Sequence, residues 1–228
     1  MKKTTKLLLI GFAVAVVLVT VLALLPQLRY SAAEKLQARG AYSEAAEAFA
    51  ALGDYRDAGQ RQQECRFWQA EALLTEGKPL EAAAVFEALG AYPGAAERVA
   101  DCHHVHGEQL FAQGRFLEAA AVFEALGDRP GAASRALDCY FSNGEALYEA
   151  GQFEEALAAF EALGEYPGAQ EATVKCRYAM ADALEQEGRL YEAAVIFYAL
   201  GDYADAWERC LALWKEILND GRIDLGSK

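Results

Sequence analysis

A Leu-Gly pair recurs at Leu52-Gly53, Leu89-Gly90, Leu126-Gly127, Leu163-Gly164 and Leu200-Gly201, always 37 residues apart. A second glycine series, Gly40, Gly77, Gly114, Gly151 and Gly188, keeps the same interval, and residues 80–90 and 117–127 are the same eleven letters, LEAAAVFEALG. A fixed period of this length restricts the chain to a repeat array, in which each unit cannot bury its apolar face alone and must stack on its neighbours. The glycines divide each unit into a longer stretch, about Arg56 to Glu76, and a shorter one, about Leu80 to Leu89. Glycine just past a helix supplies the left-handed residue that closes it at little steric cost. Pro93, Pro130 and Pro167 are expected in the first turn of the next helix, where a missing N–H costs little, with Asp54, Asp128 and Asp202 as its N-caps.

The short stretch carries one apolar stripe. Ala45, Ala82, Ala119, Ala156 and Ala193 form a column, with Phe49, Phe86, Phe123, Phe160 and Phe197 four residues on and the Leu-Gly leucines three beyond that. The i, i+4, i+7 spacing places all three on one helical face. The long stretch answers with Leu36, Leu73, Leu110, Leu147 and Leu184, each preceded three residues earlier by a small residue: Ala33, Ala70, Gly107, Gly144 and Ala181. Small residues there let a neighbouring helix approach, and phenylalanine fills the space beyond.

The run Gly151, Phe153, Ala156, Phe160, with Gly144 and Leu147 upstream, is similar to the tetratricopeptide repeat family. The resemblance covers residues 27 to about 218. It implies an all-α fold, a right-handed α-solenoid of stacked helix pairs, and a role in protein–protein interaction. Two departures bear on the superhelical pitch. The family unit is about 34 residues, and its second helix is longer than the one ending at Leu-Gly here. Pro79 also stands where Tyr42, Phe116 and Phe153 carry the aromatic.

Residues 7–25 contain no charge, about the length of a single membrane-spanning helix, and follow a basic flank at 1–6 with Lys2, Lys3 and Lys6. The alternative is a cleaved signal peptide, with a small-residue site at Ser31–Ala33. Leu28, Tyr30, Glu34 and Leu36 already stand in the repeat columns, so the array (27–218, about five repeats and a final capping helix at Tyr203–Leu218) follows the span with no Gly/Ser-rich linker. Residues 219–228 read as a loose tail. The compact lysine cluster favours a cytoplasmic N-terminus and an extracytoplasmic body.

The net charge of −13 is unevenly placed: residues 31–228 carry 17 basic and 34 acidic side chains, −17. Such a body repels phosphate backbones, which argues against nucleic acid and for basic partners or plain solubility. Cys65, Cys102, Cys139 and Cys176 share a column, but equivalent positions on packed helices lie too far apart for disulfides, so they read as small buried apolar residues. Histidine is confined to His103, His104 and His106, which supply too few ligands for a metal and look like exposed positions that have drifted. With no phosphate loop, dinucleotide motif or nucleophile–base pair, no enzyme, cofactor or metal site is expected.

One pattern points to a binding face. Glu34, Glu71, Glu108, Glu145 and Asp182 form an acidic column, and Tyr30, Phe67, His104, Phe141 and Tyr178 stand four residues earlier on the same helical side. In the resembled family this position of the first helix faces the concave groove. Glu64, Asp101 and Asp138 have Arg61, Arg98 and Arg135 three residues before them and read as paired. The first column has no equivalent arginine partner and reads as unpaired. The expectation is a membrane-anchored scaffold whose acidic, aromatic-lined groove takes a basic segment of another protein. The alternative is a structural spacer or self-assembling array. The oligomeric state is not legible.

Overall fold

The structure, a computed structural model, describes residues 2–219, with side chains from residue 12 onward. The expected loose tail lies outside the described residues except for Asn219, as do the side chains of the basic flank and of residues 7–11. The described residues form eleven helices and no strand. They fall into two compact units, Met1–His106 and Gly107–Lys228. The helices of the first are α1 (Lys2–Ala38), α2 (Tyr42–Ala50), α3 (Ala58–Thr75) and α4 (Pro79–Ala88), followed by α5 (Ala95–Ala112). The second holds α6 (Phe116–Ala125), α7 (Ala132–Glu149), α8 (Phe153–Ala162), α9 (Ala169–Gln186), α10 (Leu190–Leu200) and α11 (Ala206–Asn219). Within each unit, consecutive helices pack on one another.

The glycine punctuation works as the spacing predicts. Gly77 has φ +76°; its N–H bonds to the Leu74 carbonyl at 3.0 Å, and the Lys78 N–H reaches back to Leu73 at 2.9 Å. That double closure satisfies carbonyls the helix end would leave open. It also delivers Lys78 as the residue before α4, whose first residue is Pro79, where a ring with no N–H is tolerated.

The start of each long helix departs from expectation. Pro130 and Pro167 lie two residues ahead of α7 and α9, outside the first turn, and the N-caps are Gly131 and Gly168 in left-handed geometry. Asp57, not Asp54, stands at the N-cap position of α3 but makes no side-chain cap bond, and Asp128 and Asp202 likewise lie in the connection ahead of their helices. The reason is a pair of successive tight turns. In the first unit the Tyr92 N–H bonds to Leu89 and the Ala95 N–H to Tyr92, each at 3.1 Å. In the second the same bonds run from Tyr166 to Leu163 at 3.1 Å and from Ala169 to Tyr166 at 3.0 Å. These turns consume the residues that a simple capped entry would use.

The core is one aromatic-centred cluster per helix pair. Phe49, Phe86, Phe123, Phe160 and Phe197 are at most 2% exposed, and each such burial is worth roughly 1.5–3 kcal/mol. Ala45, Ala82, Ala119, Ala156 and Ala193 are fully buried beside them. Gly107 and Gly144 sit so close to a ring that an added Cβ would fall 2.8 Å from Phe123 Cζ and 2.7 Å from Phe160 Cε1. The five thiols are free and buried. Burial pushes Cys65 and Cys139 up to about 11, so they behave as apolar groups.

α1 runs unbroken through Pro26. The segment Phe12–Ala38 is long and apolar enough to cross a membrane, with none of its most apolar stretch covered by protein. Toward its end, Tyr30 and Ala33 turn inward and join the core cluster of α2 and α3.

Candidate functional site

Three members of the acidic column, Glu71, Glu108 and Asp182, are paired through arginines one helix pair further along the chain. Arg98 on α5 forms a two-pronged bond to Glu71 on α3, with Nε donating to Oε1 at 2.6 Å and Nη2 donating to Oε2, while Nη1 donates to Asp101 at 2.6 Å. Arg135 on α7 repeats the arrangement with Glu108, at 2.8 and 2.6 Å, and with Asp138 at 2.8 Å. Arg209 on α11 reaches Asp182 at 2.7 Å and Glu185 at 2.5 Å, and its Nη1 donates to Tyr178 Oη at 3.0 Å. Each arginine lies 27 residues after its acid. The reading of Glu71, Glu108 and Asp182 as acids without an arginine is therefore corrected: helix-spacing rules see only partners three or four residues away, and these come from the neighbouring helix pair.

Each guanidinium also lies over a core ring. The distances are 5.9 Å to Phe86 for Arg98, 5.5 Å to Phe123 and 4.7 Å to Phe111 for Arg135, and 4.4 Å to Phe197 for Arg209. A cation within about 6 Å of a ring centroid is attracted to its face. The hydrogen bonds of Glu71 and Glu108 hold Arg98 and Arg135 still further above the usual arginine range. Burial alone would raise Asp138, but hydrogen bonds from Arg135 and Tyr166 outweigh it and hold the carboxyl below its ordinary value.

The aromatic column is largely core. Tyr30 is 5% exposed. Tyr30–Phe49, Phe67–Phe86, Phe141–Phe160 and Tyr178–Phe197 have ring centroids 5.2–5.5 Å apart. A further column, Tyr55, Tyr92, Tyr166 and Tyr203, packs on the same rings at 5.2–5.9 Å. His104 occupies the column's remaining place and is half-buried, as are His103 and His106, which corrects the reading of the histidines as exposed. Among the described residues no three His, Cys, Asp or Glu side chains are grouped as a metal site would require.

Two members of the acidic column differ from the rest. Glu34 and Glu145 are exposed, and neither is ion-paired among the described residues. Arg61, placed 27 residues after Glu34, turns instead to Asp57 at 3.3 Å and to Gln37 Oε1 at 3.3 Å. The position 27 after Glu145 is Ala172. A half-open cavity of about 290 Å³ lies there, lined by Glu145, Tyr148, Glu149, Phe160, Ala172 and Lys175 among others. No family model and no curated protein matches the chain.

Proposed function

We propose that the protein is a membrane-anchored scaffold of tetratricopeptide-like helix pairs, a right-handed α-solenoid that holds basic partner proteins at the cell envelope. One observation carries the reading. The apolar run of α1 and the buried Tyr30 and Ala33 of the first core cluster stand on one continuous helix, so whatever the repeats hold is held at the bilayer. The lysine flank favours a cytoplasmic N-terminus with the repeats outside, in single-pass topology. The −17 charge of residues 31–228 favours a basic partner. Within the acidic column, Glu34 and Glu145 are the members available to one, because Glu71, Glu108 and Asp182 are engaged by arginine. No catalytic step or cofactor is assigned.

The arginine clamps favour a second reading, a spacer whose charges serve its own cohesion. In-cell crosslinking of the full chain separates the two. The scaffold gives a discrete set of partners whose recovery falls on charge reversal at Glu34 and Glu145. Recovery of self-crosslinks alone, with concentration-dependent oligomers, rejects the scaffold. Protease added to intact cells digests the repeats if they face outward; full protection reverses the topology.

A further inference from the structure

We infer that the joint around Ala172 is a binding site for an arginine side chain presented by a partner polypeptide. Three sibling joints supply the template. In each, a guanidinium lies between a carboxylate of the preceding long helix and the short-helix phenylalanine: Arg98 between Glu71 and Phe86, Arg135 between Glu108 and Phe123, Arg209 between Asp182 and Phe197. At the joint around Ala172 the carboxylate is Glu145 and the ring is Phe160, and the arginine position holds a methyl group, whereas the first joint, Glu34 with Arg61, keeps its arginine but turns it to Asp57 and Gln37. Tyr148 stands where Phe111 stacks on Arg135, so the second aromatic wall is retained as well.

The lining is also more acidic than its siblings require. Glu149 replaces Thr75, Ala112 and Gln186 of the equivalent positions. Lys175 brings one positive charge to the wall, but its Nζ is held by Glu171 at 3.0 Å, which leaves Glu145 and Glu149 without a counter-charge among the described residues. A cavity of about 290 Å³ sits at the lower edge of small-molecule pockets, roughly 300–1,000 Å³, which suits one long side chain. The carboxylate-and-ring geometry selects a planar guanidinium, which can fork onto a carboxylate and stack on a ring at once, over a compact ammonium. The acidic body argues for a basic polypeptide as the bearer. This deepens the scaffold reading, on which it rests, by fixing what the partner must present.

The test uses the full chain in lipid nanodiscs and the peptide acetyl-Gly-Arg-Gly-amide, followed by saturation-transfer NMR on the peptide. Saturable transfer to the arginine methylenes is expected, with the lysine counterpart about fivefold weaker. Ala172→Arg supplies the guanidinium internally and abolishes binding; Glu145→Gln weakens it about tenfold. Absence of transfer to wild type, or transfer that both variants leave unchanged, overturns the site. Should Ala172→Arg fail to fold by circular dichroism, Glu145→Gln decides, since that side chain is exposed. Partners still crosslinked in cells by Ala172→Arg remove this site while leaving the scaffold standing.

Discussion

Arg135 offers the sharpest quantitative test of what binds one helix pair to the next. Its guanidinium makes three charge-assisted hydrogen bonds of 2.6–2.8 Å, two to Glu108 and one to Asp138. Fully buried, bonds of this kind contribute about 1.5–3 kcal/mol each. The side chains here are 26%, 40% and 32% exposed, so solvent screening moves each toward the exposed-pair range of roughly 0.2–1 kcal/mol. Taking about 0.7 kcal/mol per bond, with about 0.5–1 kcal/mol for stacking over Phe111 at 4.7 Å, Arg135→Met costs about 2.5–3 kcal/mol. In a double-mutant cycle with Glu108→Gln the coupling is about 1–1.5 kcal/mol and shrinks by roughly half in ~0.5 M salt. Repeat arrays do not unfold strictly two-state, so the assay is native-state hydrogen exchange of α7 amides in the full chain in micelles. Glu145→Gln is the internal control, within about 0.5 kcal/mol of wild type. A coupling below about 0.3 kcal/mol at low salt refutes the clamp as a source of cohesion.

Three further outcomes are expected. Gly144→Ala gains about 1 kcal/mol of helix propensity but drives a Cβ to 2.7 Å from Phe160, an overpacking cost of about 1–3 kcal/mol, so the net is a loss of up to about 2 kcal/mol; a Tm above wild type shows that the ring yields freely. Tyr166 donates to Asp138 at 2.7 Å, and that bond, with burial, pushes its phenol up to about 12. Because the folded value exceeds the unfolded one of about 10, the stabilisation is complete below pH 10 and fades between pH 10 and 12, so the stability gap to Tyr166→Phe closes over that window alone in urea titrations. Thiol titration with a disulfide reagent at pH 8 labels Cys65, Cys102, Cys139 and Cys176 only as the helices open, because all four are fully buried and burial raises each thiol above its ordinary value; rapid labelling of the native chain contradicts that burial.

The repeat register and the helix pairs were legible because glycine and the alanine–phenylalanine stripe act locally. Expected bounds of about 56–76 and 80–89 meet α3 at Ala58–Thr75 and α4 at Pro79–Ala88. The entry to each long helix was not legible, since Asp54 and Pro93 satisfy the capping rules one by one while Leu52, Tyr55 and Ala58 in the one connection, and Leu89, Tyr92 and Ala95 in the other, form two turns that override them. The clamps stayed hidden for a different reason. Glu108 and Arg135 are neighbours only after α6 has folded back between them, and no rule built on one helix spans that distance. A signal existed: Arg61, Arg98, Arg135 and Arg209 keep the 37-residue register of the acids, and Ala172 breaks it at the joint where the cavity lies.

The unbroken course of α1 sets a clearance. At about 1.5 Å per helical residue, the buried ring of Tyr30 stands roughly 7 Å beyond Leu25, the end of the apolar run. The headgroup layer on one face of a bilayer is about 5–7 Å deep. With residues 7–25 in hydrocarbon, the first core cluster sits level with the lipid headgroups, and no stalk lifts it clear. On the scaffold proposed above, that leaves no room for a folded partner between the bilayer and the first helix pair.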